Sequence, residues 1–147
     1  MAKVLVIYHT LSGNTEKMAK AVAEGAGSVA GTEVVVKKAL DATLEDIIDC
    51  DGAAFGSADY FSYIAGALKD FFDRTYYPSR GKVDGKPYVA FGTGGGGGDT
   101  VLGVLERICN AFKLNKVANS VSASGKITDG DLKECSEIGK KLAEALK

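Results

Sequence analysis

Between the apolar run Lys3-Val-Leu-Val-Ile-Tyr8 and a helix-like stretch, the chain reads His9-Thr10-Leu11-Ser12-Gly13-Asn14-Thr15. Thr10, Ser12, Asn14 and Thr15 can each donate a side-chain hydrogen bond. Gly13 lets backbone amides turn inward, and a helix starting behind the loop adds unpaired N–H groups and a positive dipole end. Together these form an anion cradle. The dipole contributes roughly 0.3 to 2 kcal/mol, and each hydrogen bond to a charged group about 1.5 to 3 kcal/mol. A ring of such donors can therefore hold a phosphate without a cation. No lysine stands between Lys3 and Lys17, and Gly-x-x-x-x-Gly-Lys-Ser/Thr is absent, so a Walker loop does not fit.

Two further stretches have unusual composition: Gly-Ser-Ala-Asp-Tyr-Phe-Ser-Tyr-Ile-Ala-Gly at 56–66, and Phe-Gly-Thr-Gly-Gly-Gly-Gly-Gly-Asp-Thr at 91–100. In the second, Gly92, Gly94 and Gly97 satisfy Gly-x-Gly-x-x-Gly, but a dinucleotide site also needs an acid about 20 residues on. None occurs between Glu106 and Asp129. His9 is the sole histidine, and Cys50, Cys109 and Cys135 lie far apart. No catalytic triad and no metal-ligand set can be assembled from them. A receiver-type signalling domain would use Asp59 with Lys126, yet it needs an acidic pair where His9–Asn14 supplies none.

These stretches must be positioned by regular elements, and the chain alternates between two kinds. Short apolar or β-branched runs predict strands at 3–8, 32–39, 52–58, 86–94 and 116–125. Amphipathic runs predict helices at 14–30, 43–50, 65–78, 99–112 and 129–146. Met18, Ala21, Val22 and Ala26 share one helical stripe, Thr43 is placed to cap the second helix, Pro78 to close the third and Asp99 to cap the fourth. Five strands alternating with helices predict a single α/β domain over 1–147, with a parallel sheet covered on both faces and right-handed crossovers. Ligands of such sheets bind at the carboxyl ends of the strands. The three odd stretches all follow strands there.

At 147 residues and 46% hydrophobic, the chain suits one core. A net charge of −1 from interspersed charges recommends neither nucleic acid nor an anionic membrane as partner. No apolar stretch is long enough for a signal peptide or membrane span. The expectation is a cytoplasmic protein with reduced, buried thiols.

Thr10-Leu-Ser-Gly-Asn-Thr15 at the end of a first strand resembles the FMN phosphate loop of flavodoxins, Thr/Ser-x-Thr/Ser-Gly-Asn-Thr, and the order of elements corresponds to the short-chain form over essentially the whole chain. The resemblance implies a flavodoxin-like three-layer sandwich with strand order 2-1-3-4-5. It implies a phosphate held by Thr10, Ser12, Asn14 and Thr15 with the amides of Leu11 and Gly13, and a flavin ring between the second and third loops. A cradle without lysine suits a low-potential carrier, since a cation would stabilise the reduced, anionic ring.

The second loop, continued through Leu68-Lys69-Asp-Phe71-Phe-Asp73-Arg74, is similar to flavodoxin-like NAD(P)H:quinone reductases and FMN-reductase relatives. Gly56, Ser57, Tyr60 and Phe61 match their pattern; Ala58, Asp59, Ser62 and Tyr63 depart. The chain has no tryptophan, so Tyr60, Phe61 or Tyr63 is expected to wall the ring, with backbone near Ala58, Asp59 and Tyr60 facing flavin N5. Phe71 and Phe72 read as core. In the third loop, Thr93, Gly94, Gly95, Gly96 and Gly97 are expected to bring amides to the ring's pyrimidine edge, beside Asp99.

Two functions follow from the resemblance. One is an FMN electron carrier that docks redox partner proteins, as a monomer or weak homo-oligomer. The alternative is an FMN oxidoreductase that takes hydride from a nicotinamide donor and reduces quinones or other small acceptors. Short length favours the carrier. Charge pulls the other way: only Asp59 and Asp99 lie in the ring loops, and Arg74, Arg80, Lys82 and Lys86 are near in sequence.

Overall fold

In the computed structural model, which describes residues 1–147, the strand-forming runs lie side by side. β1 (Ala2–Tyr8), β2 (Thr32–Lys38), β3 (Gly52–Ala58), β4 (Pro87–Gly94), β5 (Asn115–Lys116) and β6 (Val121–Ser124) make one parallel sheet. Its order is β2-β1-β3-β4-β5, with β6 also pairing with β4. The expected order 2-1-3-4-5 is the observed one. Helices α1 (Asn14–Gly27), α2 (Leu44–Asp49), α3 (Gly66–Ser79), α4 (Asp99–Ala111) and α5 (Asp129–Glu144) make the crossovers.

The central strands read as apolar runs because both faces are covered. Along β1, Val4, Val6 and Tyr8 enter the core beneath α1 and α5, whereas Leu5 and Ile7 enter the core on the opposite face. Along β4, Val89 and Phe91 point to the first core and Tyr88 and Ala90 to the second. The second core also takes Phe71 and Phe72, whose rings meet at 5.6 Å. All three cysteines are buried and unpaired. Burial raises each thiol above its ordinary range, Cys50 to about 11.

Thr43 caps α2 in a reciprocal box: its hydroxyl accepts from Asp46 N–H, and the Asp46 carboxylate accepts from Thr43 N–H. Several boundaries differ from the sequence expectation: α1, for one, ends at Gly27 rather than at 30. Pro78 does not close α3 but sits in its last turn, which ends at Ser79. Asp99 is the first residue of α4 rather than its cap. Gly98 takes the cap position because its N–H is already bonded to Ser122 Oγ at 2.9 Å, and a Cβ there would meet Gly92 backbone at 2.4 Å.

The largest difference is the fifth strand, expected as continuous from 116 to 125. It is broken between β5 and β6. Two residues of β4, Val89 and Ala90, face four of the last strand, Val117 to Ser120. The flanks of this bulge are gathered by one carboxylate on α4, since Lys116 Nζ and Ser120 Oγ both donate to Glu106 Oε1, at 2.7 and 3.1 Å.

No helix is long and apolar enough to cross a membrane. The short α2 is instead fastened from outside. Lys86, just ahead of β4, donates its ammonium protons to the carbonyls of Ile47, Ile48 and Cys50 at 3.2, 2.5 and 2.7 Å. These include carbonyls that a helix end leaves without partners. Lys86→Met should therefore lower stability by about 2 kcal/mol, more than a surface lysine, because it strips charge-assisted bonds from partly buried acceptors. Urea unfolding of the two proteins measures this, and equal midpoints would refute it.

Candidate functional site

The carboxyl ends of β1, β3, β4 and β6 place four loops at one edge of the sheet. In the first, Gly13 adopts φ +97°, a left-handed conformation that side chains disfavour, and stands at the cap position of α1 with no side-chain cap. The N–H groups of Thr15 and Glu16 have no acceptor within the protein. Of the two amides expected as phosphate donors, Leu11 and Gly13, that of Gly13 is engaged within the loop. Gly13 N–H donates to Thr10 Oγ1 at 2.9 Å, and Leu11 N–H faces the Tyr60 hydroxyl. Asn14 N–H reaches Ser12 Oγ at 3.4 Å. Leu11 and Ser12 are exposed, whereas Thr15 is 1% exposed. The loop leaves the first turn of α1 free for an anion, ringed by neutral oxygens and an amide.

Behind that turn, Tyr8 donates its hydroxyl proton to the Glu16 carboxylate at 2.9 Å. Burial raises the Tyr8 phenol above its usual range, and Glu16 adds to the effect. The bond fixes Glu16 on the core side of α1.

The second loop leaves β3 and folds at once. Ser57 is fully buried; its hydroxyl donates to Ala58 O at 2.7 Å and accepts from Ala65 N–H at 2.9 Å. Its side chain therefore staples the loop's two ends. Tyr60 and Tyr63 exchange backbone hydrogen bonds at 3.0 and 3.1 Å around Phe61 and Ser62, whose φ angles are 57° and 61°. The Tyr60 ring lies against the first loop, 5.9 Å from the His9 ring and close to edge-on. Burial raises its phenol above the ordinary range, and the N–H of Leu11 works against that shift. Tyr60 thus braces two loops together, while Phe61 and Tyr63 are the exposed rings.

The five glycines of the third loop divide into two kinds. A Cβ on Gly94 or Gly98 would strike backbone of Gly97 or Gly92, at 2.5 and 2.4 Å, so these two are packing residues. Gly95 and Gly96 are exposed with nothing near a Cβ, and Gly97 turns the chain at φ +105°. Thr93 is 3% exposed, and its carbonyl accepts from Asp59 N–H at 2.8 Å. Asp59, Gly95, Gly96, Gly97, Asp99 and Thr100 line a cleft of about 290 Å³ with no apolar wall. The structure thus brings Ala58, Asp59 and the glycine loop together as expected from sequence, and buries the side chains of Ser57 and Thr93.

A fourth loop went unnoticed in the sequence. Gly125, after β6 at φ +63°, donates its N–H to Gly94 O at 3.0 Å and accepts from Asn14 Nδ2 at 3.4 Å. Ser124 Oγ donates to Gly95 O at 3.3 Å. Ser122, Ser124 and Gly125 therefore link the first and third loops. Their only sequence signal is the Ser-x-Ser-Gly run at 122–125 closing the last strand.

Comparison with known proteins agrees with this geometry. The flavodoxin family model matches residues 6–139. A flavodoxin of Aquifex aeolicus (strain VF5) is 37% identical over 162 aligned residues, which cover 98% of this chain and 86% of that protein. Among solved structures, a flavodoxin from the domain Archaea superposes with a TM-score of 0.86 at 27% identity, with 98% of each chain covered. A WrbA-like flavodoxin of Agrobacterium tumefaciens gives a TM-score of 0.82 at 20% identity, over 99% of this chain and 98% of its own, a likeness of fold.

Proposed function

The chain belongs to the flavodoxin family, and from that premise we propose that it is an electron carrier whose cofactor is FMN, acting as one domain over residues 1–147. The observation that carries the reading is the start of α1. A left-handed Gly13 opens a helix whose first amides, on Thr15 and Glu16, have no partner inside the protein. Hydroxyls of Thr10, Ser12 and Thr15 and the Asn14 amide surround them, with no cation among them. That donor set fits a monophosphate held by dipole and hydrogen bonds.

Bound here, FMN supplies one-electron chemistry. The residues of the chain hold and orient it. In this reading the first turn of α1 takes the phosphate, the backbone of Ala58, Asp59 and Tyr60 borders one side of the ring, and the free amides of Gly95 and Gly96 approach its polar edge. Phe61 or Tyr63 offers an aromatic face. Asp59 and Asp99 add negative charge on that side, which disfavours extra electron density on the ring. Redox partner proteins then meet the ring edge between the second and third loops. The carrier function is favoured over nicotinamide oxidation by the flavodoxin relatives, and a cytoplasmic setting is supported by the buried, unpaired thiols.

The test is a titration of purified protein with FMN, followed by NADH and NADPH without a partner. One equivalent of FMN should bind, and the yellow complex should stay oxidised until a reductase or chemical reductant is added. A protein that cannot take up FMN would refute the reading; rapid bleaching by either nucleotide with turnover of a quinone would replace the carrier with a reductase.

A further inference from the structure

Two-residue turns with left-handed residues at both central positions are normally built from asparagine, aspartate or glycine. The turn between Tyr60 and Tyr63 is built from Phe61 and Ser62, at φ 57° and 61°. Neither residue favours that conformation. Packing does not compensate, because the Phe61 side chain is fully exposed and Ser62 is exposed as well. Something outside the pair must hold it.

One side chain does so. Asp59 Oδ1 accepts from Ser62 N–H at 2.7 Å, a short, charge-assisted bond. The backbone of Asp59 is itself fixed to the sheet. Its N–H donates to Thr93 O at 2.8 Å, one step beyond the last paired residues, Ala58 and Thr93. Its Cβ lies 3.1 Å from where a Cβ on Gly94 would stand. Asp59 therefore carries the rigidity of β3 and β4 into a turn that its own residues would not hold. Backbone held away from its preferred conformation clusters at functional sites, and this turn borders the cleft lined by Asp59 and the glycine loop.

We propose that Asp59 is the positioning residue of the flavin site's second loop: its carboxylate, as a hydrogen-bond acceptor, keeps Phe61 and Ser62 left-handed and so presents the 59–62 backbone to the ring. The proposal rests on the FMN reading above. It concerns the acceptor oxygen rather than the negative charge, and the two can be separated.

Wild type, Asp59→Ala, Asp59→Asn and Asp59→Ala with Ser62→Gly are compared for FMN affinity and for the midpoint potential of bound FMN. Asparagine keeps an oxygen acceptor and drops the charge, whereas glycine at 62 accepts a left-handed φ without help. Asp59→Ala should raise the FMN dissociation constant about tenfold, as expected for losing one charge-assisted bond, and should displace the potential. Asp59→Asn should stay within about threefold of wild-type affinity. Adding Ser62→Gly to Asp59→Ala should recover most of the affinity and bring the potential to that of Asp59→Asn, which lacks the same charge; a general loss of stability would do neither. Amide spectra of the FMN-free proteins should show the Ser62 N–H resonance moving upfield in Asp59→Ala alone. The proposal is overturned if Asp59→Ala matches wild type, if Asp59→Asn loses as much as Asp59→Ala, or if glycine fails to rescue. A wild type that binds no FMN would instead remove the parent reading, and the positioning role with it.

Discussion

Gly139→Ala should lower the stability of the protein by about 3 kcal/mol, at the upper end of what overpacking costs. Helices α1 and α5 cross backbone to backbone. A Cβ on Gly139 would lie 2.0 Å from Val22 O and 3.1 Å from Ala26 N, and one on Gly25 would lie 1.8 Å from Ser136 O. These obstacles are main chain within helices, so no rotamer change relieves them and the helices must separate. Separation would open the core between them, where Met18, Val22, Cys135, Ile138 and Leu142 are buried. Gly103 is the matched control: exposed, inside α4, with nothing near a Cβ. Gly103→Ala should be stabilising by about 0.5 to 1 kcal/mol through helix propensity alone. Urea unfolding of both variants decides the matter, and a Gly139→Ala midpoint equal to wild type would refute the close crossing. The consequence reaches the candidate site, because α1 begins at its first loop and packs along α5.

Neither glycine was marked by the sequence. Each sits in an amphipathic helix, where a lone glycine reads as a tolerated weakness rather than a contact. What was legible is what depends on local periodicity. The β-branched runs announced β1 and β2, the 3.6-residue stripe of Met18, Ala21, Val22 and Ala26 announced α1, and Thr43 announced the cap of α2. The break after Lys116 was missed although Asn119 and Ser120 are turn-forming residues, because the run reads as continuous between Val117 and Val121. The carboxylate of Glu106, on another element, gathers the two flanks of that bulge. The cap at Gly98 was hidden for a similar reason: it depends on Ser122, distant in sequence.

The site divides in the same way. The first loop drew attention by residue type, since hydroxyls, an amide and a glycine crowd together before a helix. Which of its amides remain free was decided by three-dimensional contacts, with Thr10 taking Gly13 N–H. Tyr60, expected as one of three residues to wall the ring, also sets its ring against His9 of the first loop. The five glycines looked equivalent in sequence; in the fold Gly94 and Gly98 are compelled by close backbone and Gly95 and Gly96 are open. Gly125 escaped notice because a single glycine after a strand carries almost no information until its partners, Gly94 and Asn14, are known.

The largest expected effect on ligand binding follows from the same first loop. Asn14→Ala combined with Thr15→Val should weaken FMN binding by about 100-fold or more, since two hydrogen bonds to a charged group contribute about 1.5 to 3 kcal/mol each. Valine is the choice at 15 because Thr15 is almost completely buried, and it keeps the volume while removing the hydroxyl. In a loop with a lysine, Coulomb attraction would cushion such a loss; here no cation lies between Lys3 and Lys17, and neutral donors with the helix dipole must do the whole task. The two positions are adjacent, so their effects need not add, and each single variant belongs in the same series. Riboflavin, which shares the ring and lacks the phosphate, separates this role from a general disturbance of the site. Its affinity should change by less than about threefold, because apart from a long 3.4 Å bond to Gly125 O the bonds lost are phosphate-directed. Asn14 also donates to Gly125 O, so a loosened link to the glycine loop would lower riboflavin affinity as well. Equal losses for the two ligands would therefore assign the loop to positioning the ring rather than to holding the phosphate, and would refute the cradle.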